Sequence, residues 1–182
     1  MRLVAGGEID LRMRVDGTVT ANDYAERNLP GGEVYTAPVL GSVAGEVHFD
    51  MPPITQGREV GDVPRRFEGG EVVEHSAARK RPCSPRCWRP TRGPAARTNS
   101  VWVTDRAIDR FTYNMPFDEK TGDTVYLAPG CAYEWTVGPD REQNESAVHQ
   151  DVIADMSEDS RIELDGEVVQ RDRTFVFEND AE

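Results

Sequence analysis

Residues 143–156 read QNESAVHQDVIADM, and the way this stretch is read decides the fold. An extended strand puts alternate side chains on one face, so Ala147, His149, Asp151 and Ile153 point one way and Val148, Gln150 and Val152 the other. His149 and Asp151 are then neighbours, about 7 Å apart along the strand. An imidazole beside a carboxylate on a stiff apolar strand is a natural pair of ligands for a divalent ion such as Zn, Mn or Co. By spacing alone, the pair reads more readily as a polar edge face.

Three stretches upstream carry further chemistry-bearing residues: NLPGGEVYTAP at 28–38, FTYNMPFDEK at 111–120 and YLAPGCAY at 126–133. Taken by itself, Glu33 at a loop-to-strand junction reads as a solvent-facing carboxylate. With NESAVHQD at 144–151, however, the order and rough spacing of the four stretches resemble the C-terminal, catalytic half of the thermophilic-type metallo-aminopeptidases of the aminopeptidase T and aminopeptidase S type. The resemblance runs from Ile9 onward, and the N-terminal domain usual in that family is expected to be absent.

The resemblance implies that Glu33, His149 and Asp151 hold two divalent metal ions (Zn, Co or Mn), with Glu119 as a further carboxylate ligand. It implies that Tyr133 is a catalytic residue that stabilises the transition state. Two departures are equally plain. Tyr126 stands where the family carries a histidine ligand, and Asn99 stands where it carries a glutamate that bridges the metals and acts as general base. The implied activity is hydrolysis of N-terminal residues from peptides, in a truncated and impaired form. The rival readings are a non-catalytic remnant and an interaction module.

Composition narrows the class. A chain of 182 residues fits one domain with a real core. Its net charge of −12 excludes the usual nucleic-acid binder. Lysine occurs only at Lys80 and Lys120, and the other basic residues are all Arg. Many carboxylates with few lysines suggest a protein solvated in concentrated salt, where a Debye length of about 3 Å quenches surface repulsion. No apolar run is long enough for a transmembrane helix, and the N-terminal MRLVAGGEID is too short in apolar residues for a signal peptide. The expected location is the cytoplasm and the expected partner a peptide substrate, with neither nucleic acid nor membrane; a homodimer is left open. Three cysteines argue against a disulfide framework.

Residues 77–104 differ in character from their surroundings, which divides the chain into a first part of the catalytic domain (1–76), this segment, and a second part (105–182). The segment holds Arg79, Lys80, Arg81, Arg86, Arg89, Arg92 and Arg97 and no acid, with prolines that exclude a continuous helix. A basic interaction tail, a disordered loop and a frameshifted stretch from about 79 to 104 compete. GC-rich codons for 82–93 read one base earlier give V-L-A-A-V-L-A-T-D-E-G, an amphipathic helix start. The same shift on 98–103 restores a glutamate at position 99. One shift direction repairs both, which favours the frameshift.

The rest of the pattern is an α+β, strand-rich domain with few helices, its middle segment disordered or misfolded. Alternation predicts strands at 9–15, 41–50, 71–77, 124–128, 131–137 and 174–177, and a hairpin turning at Asp165-Gly166. His48 falls on the polar side of its strand. Residues 106–120 read as a short helix or a turn into a loop, since Pro116 excludes a helix running through the stretch.

Overall fold

The computed structural model describes residues 1–49, 54–55, 58–59, 63–75, 97–103, 106–142 and 151–179, with the strand at 97–103 described by its backbone. The expected α+β, strand-rich architecture is what it shows. In chain order the strands are β1 (Arg2–Ala5), β2 (Ile9–Arg12), β3 (Ala21–Asp23), β4 (Glu33–Thr36), β5 (Ala44–Phe49), β6 (Ile54–Thr55), β7 (Arg58–Glu59), β8 (Val63–Glu68), β9 (Glu71–His75), β10 (Arg97–Val103), β11 (Thr124–Gly130), β12 (Val152–Asp155), β13 (Ser160–Leu164), β14 (Glu167–Arg171) and β15 (Thr174–Phe175). Three single-turn helices interrupt them: α1 (Met115–Asp118), α2 (Glu134–Val137) and α3 (Val176–Asn179).

Two antiparallel sheets hold the molecule together. An eight-stranded sheet runs β15-β14-β13-β1-β2-β5-β8-β9, and a five-stranded sheet runs β12-β11-β10-β4-β3. Alternation in β2 and β5 buries Leu11, Val47 and Phe49 on one face of the larger sheet. They meet Val125, Leu127, Val152 and Ala154 from one face of the smaller sheet in a single core cluster. Complete burial of one such Leu or Val stabilises by about 1.5–3 kcal/mol. Gly45 shows how close the larger sheet packs: at φ +121° in β5, an added Cβ would lie 2.0 Å from the Asp10 carbonyl oxygen of β2. His48 sits on the opposite side of β5, where its Nδ1 meets the Glu8 carboxylate at 2.7 Å.

The other face of the five-stranded sheet carries the polar residues. Cross-strand register aligns Ala21, Tyr35, Val101, Tyr126 and Ile153 in one row. Residues directly opposite in a ladder share a face, so Glu33 and Asp151, each two positions from a member of that row, lie on it too. Asn99 pairs with Ala128 in the same register. β11 is buried along its whole length because both faces are covered.

Several expectations need correction. Residues 131–137 do not form a strand: β11 ends at Gly130, and Thr136 turns back to the Tyr133 carbonyl through both its N–H (2.9 Å) and its hydroxyl (2.7 Å). The result is α2, which ends at Gly138 with φ +90°. The last strand stops at Phe175 rather than continuing to Phe177, because Glu178 reaches back to accept the Phe175 N–H at 2.7 Å and closes α3. In line with the reading of 106–120, no helix runs through it; the short α1 carries Pro116 in its first turn, where its missing N–H is not needed. Of the strand expected around His149, the described part is β12 from Val152, with Asp151 just before it. His149 and residues 76–96 lie outside the described residues. No helix among the described residues is long and apolar enough to cross a membrane.

Candidate metal centre on the five-stranded sheet

Glu33 opens β4, and the loop before it is tightly tethered. The buried carboxylate of Asp23, at the end of β3, accepts the backbone N–H groups of Glu26 (3.1 Å), Arg27 (3.2 Å) and Asn28 (3.0 Å). Burial would raise the Asp23 carboxyl, but these N–H groups and the charge of Lys120 outweigh it and hold the group below its ordinary value. Gly31 follows, with no room for a side chain: an added Cβ would lie 2.1 Å from the Ala25 nitrogen. The Gly32 N–H then bonds the Asp23 carbonyl at 2.7 Å. The chain therefore enters β4 in one path, and Glu33 is 2% exposed. This buried position overturns the solvent-facing reading of Glu33.

The second carboxylate arrives from the other side. Asp118 accepts both the N–H (2.6 Å) and the hydroxyl (2.7 Å) of Thr112, folding the 106–123 loop over the sheet. Phe111 and Met115 from this loop pack on Tyr35, Tyr126 and Ile153. The turn after α1 then delivers Glu119 and Lys120, whose N–H groups bond Met115 (2.9 Å) and Phe117 (3.0 Å) carbonyls. Lys120 Nζ lies 2.5 Å from Glu33 Oε2 and 3.0 Å from Glu119 Oε1. Burial raises the Glu119 carboxyl above its ordinary value; Lys120 opposes this, and Asp151 and Glu33 reinforce it.

Tyr126, on β11, donates its hydroxyl to Glu33 Oε2 at 2.8 Å. Burial, then the charges of Glu33 and Glu119, push this phenol far above its ordinary value. Tyr133 caps α2 and is partly exposed. Its phenol is also raised, by burial and then by Asp151, Glu119 and Glu33. Those contributions place Asp151 and Tyr133 within electrostatic reach of the two glutamates. Tyr133 stacks on Trp135 (centroids 4.6 Å apart, 9° between planes) and meets Tyr35 edge-on at 5.9 Å. The Trp135 indole N–H bonds the Tyr35 hydroxyl at 3.3 Å, and the Arg27 guanidinium lies over its ring at 4.7 Å.

Glu33 and Glu119 thus meet at Lys120, with Asp151 and Tyr133 within electrostatic reach of them. Among the described residues, no group of three or more His, Cys, Asp or Glu side chains is arranged to hold a metal ion. The donor chemistry nevertheless fits a cation. Two carboxylates from separate segments already converge on one positive atom, the Lys120 ammonium, which stands in for it. Sequence reasoning missed Lys120, although it is one of two lysines in the chain and follows Glu119 directly. It missed Trp135 and Arg27 as well, which no spacing signal marks.

Comparisons with known proteins bear on the family and the fold. A family model described as thermophilic metalloprotease (M29) matches residues 4–179. Among solved structures, wild-type AmpT from Thermus thermophilus superposes with a TM-score of 0.79 at 25% identity, over 96% of this chain and 49% of that one. A 2,5-dihydroxypyridine dioxygenase from Pseudomonas putida superposes with a TM-score of 0.67 at 12% identity, over 96% of this chain and 54% of that one, and shows the fold alone. This chain spans about half the length of both. No curated protein sequence matches it. With nearly its whole length matched by one family model, the chain belongs to the thermophilic metalloprotease (M29) family.

Proposed function

We propose that this chain carries the site of a metal-dependent aminopeptidase, which removes N-terminal residues from peptides, in an impaired form. The single observation that supports it is the convergence of Glu33 and Glu119 on one buried cationic atom, with Tyr133 and Asp151 within electrostatic reach. Glu33, Glu119 and Asp151, joined by His149, would hold divalent metal (Zn, Co or Mn). When bound, the metal would polarise the scissile carbonyl and activate water for attack.

The chain's own residues supply the rest. Tyr133 keeps its proton because burial and three nearby carboxylates disfavour the phenolate. It is therefore a hydrogen-bond donor at neutral pH, suited to a developing oxyanion. Trp135 and Tyr35 fix its ring from two sides.

The same physics explains the impairment. Tyr126 offers Glu33 a proton where an imidazole would offer a lone pair, and its burial keeps that proton in place. Asn99 carries a neutral amide where a carboxylate base is expected, and loss of a general base costs about 10²–10⁴-fold in rate. We place the protein in the cytoplasm, infer a salt-rich setting from its acidic composition, and read the altered 79–104 segment as frameshifted.

Release of p-nitroaniline from aminoacyl-p-nitroanilides tests the reading. The 182-residue chain is expected to be slow with Mn, Co or Zn, silent in EDTA, and silent as Glu33→Gln. The Asn99→Glu/Tyr126→His double variant is expected to gain about 10²-fold or more. Activity indifferent to EDTA and to Glu33→Gln would sink the proposal.

A further inference from the structure

The side chain of Lys120 is completely buried, at 0% exposure. An ammonium taken out of water is strongly disfavoured unless charge and hydrogen-bonding groups meet it. Here the charge is met by two carboxylates, one from β4 and one from the preceding residue: Glu33 Oε2 at 2.5 Å and Glu119 Oε1 at 3.0 Å, contacts that are ion pairs rather than well-aligned hydrogen bonds. The Tyr126 hydroxyl completes the coordination of the same Glu33 oxygen at 2.8 Å. The Lys120 backbone is fixed too, since its N–H bonds the Phe117 carbonyl and the next N–H bonds the Asp118 carbonyl. Its charge also reaches the Asp23 carboxylate beneath the Glu33 loop. One positive charge therefore serves several carboxylates that would otherwise repel one another across a buried face.

A divalent ion bound by the same oxygens would need them at about 2.0–2.2 Å, in the space where Nζ lies. An ammonium and a divalent cation cannot share that position. We propose that Lys120 is the resident cation of this carboxylate cage: it holds Glu33 and Glu119 together, and a divalent ion enters their position only by displacing it. The proposal rests on the reading of these glutamates as metal ligands. It makes Lys120 a positioning residue that keeps the cage folded without metal and weakens metal binding.

Amine labelling followed by peptide mass analysis reads this in the unaltered chain. In EDTA, Lys120 is expected to react at a small fraction of its rate in the urea-unfolded chain. Reaction at the unfolded rate overturns the proposal. Calorimetric titration with Mn²⁺ is expected to show Lys120→Met binding about tenfold tighter or more than the unaltered chain. The melting temperature of Lys120→Met in EDTA is expected roughly 6–20 °C lower, recovering on addition of Mn²⁺. If Lys120→Met does not fold without metal, the labelling result decides alone. Equal Mn²⁺ affinity in the two proteins, with Glu33→Gln abolishing it in both, overturns the role of Lys120 and leaves the metal site standing. Mn²⁺ binding unchanged by Glu33→Gln overturns both.

Discussion

The two faces of the five-stranded sheet are built from the same strands and do opposite work. One face, with Val125, Leu127, Val152 and Ala154, is buried in the common core against the larger sheet. The other, displaced by a single residue along each strand, carries Glu33, Tyr35, Tyr126 and Ile153. The first face is apolar and stabilises by area. The second buries charge, which is stabilising only as long as every member keeps its partner. A one-residue alternation thus separates what holds the fold from what carries the chemistry.

Adjacent residues on β11 test that separation most strongly. Leu127→Ala leaves a core cavity and is expected to cost about 2–5 kcal/mol in urea unfolding. Tyr126→Phe keeps the ring and removes one hydrogen bond to a buried carboxylate, with an expected cost of about 1–3 kcal/mol. Equal losses, or a larger loss at Tyr126, would mean that the two faces are not distinct in kind.

A smaller effect lies in acid. The Asp23 carboxyl is held below its ordinary value, so its contribution to stability is complete above the unfolded value of about 3.9 and is lost as pH falls through the lowered folded value. Asp23→Asn is therefore expected to lose less stability than the unaltered chain as pH falls below about 4. Parallel acid titration curves for the two proteins would show that the three N–H bonds of the Glu33 loop do not depend on the carboxylate charge.

The sequence made the strands legible where alternation was matched by burial, as in β2, β5 and the β13–β14 hairpin. It misled where alternation was accidental: residues 131–137 alternate, but the Thr136 hydroxyl closes a turn on Tyr133 that no periodicity reports. The C-terminal helix depends on Glu178, which is drawn by both the Phe175 N–H and the Arg106 guanidinium, 72 residues distant. Glu33 and Glu119 stand out by motif, and the fold brings both to Lys120. Lys120 was hidden because a lysine beside a glutamate reads as an ordinary surface pair; only the path of the 106–123 loop reveals that it points inward.

The most direct measurement is a crystal structure of the chain grown with Mn²⁺, with anomalous data collected at the manganese edge. The carboxylates of Glu33 and Glu119 are expected to face one shared positive centre, whether Lys120 Nζ or manganese, with Asp151 and Tyr133 beside it. Density that turns the two glutamates away from each other, or places manganese on another part of the surface while they share no cation, would contradict it.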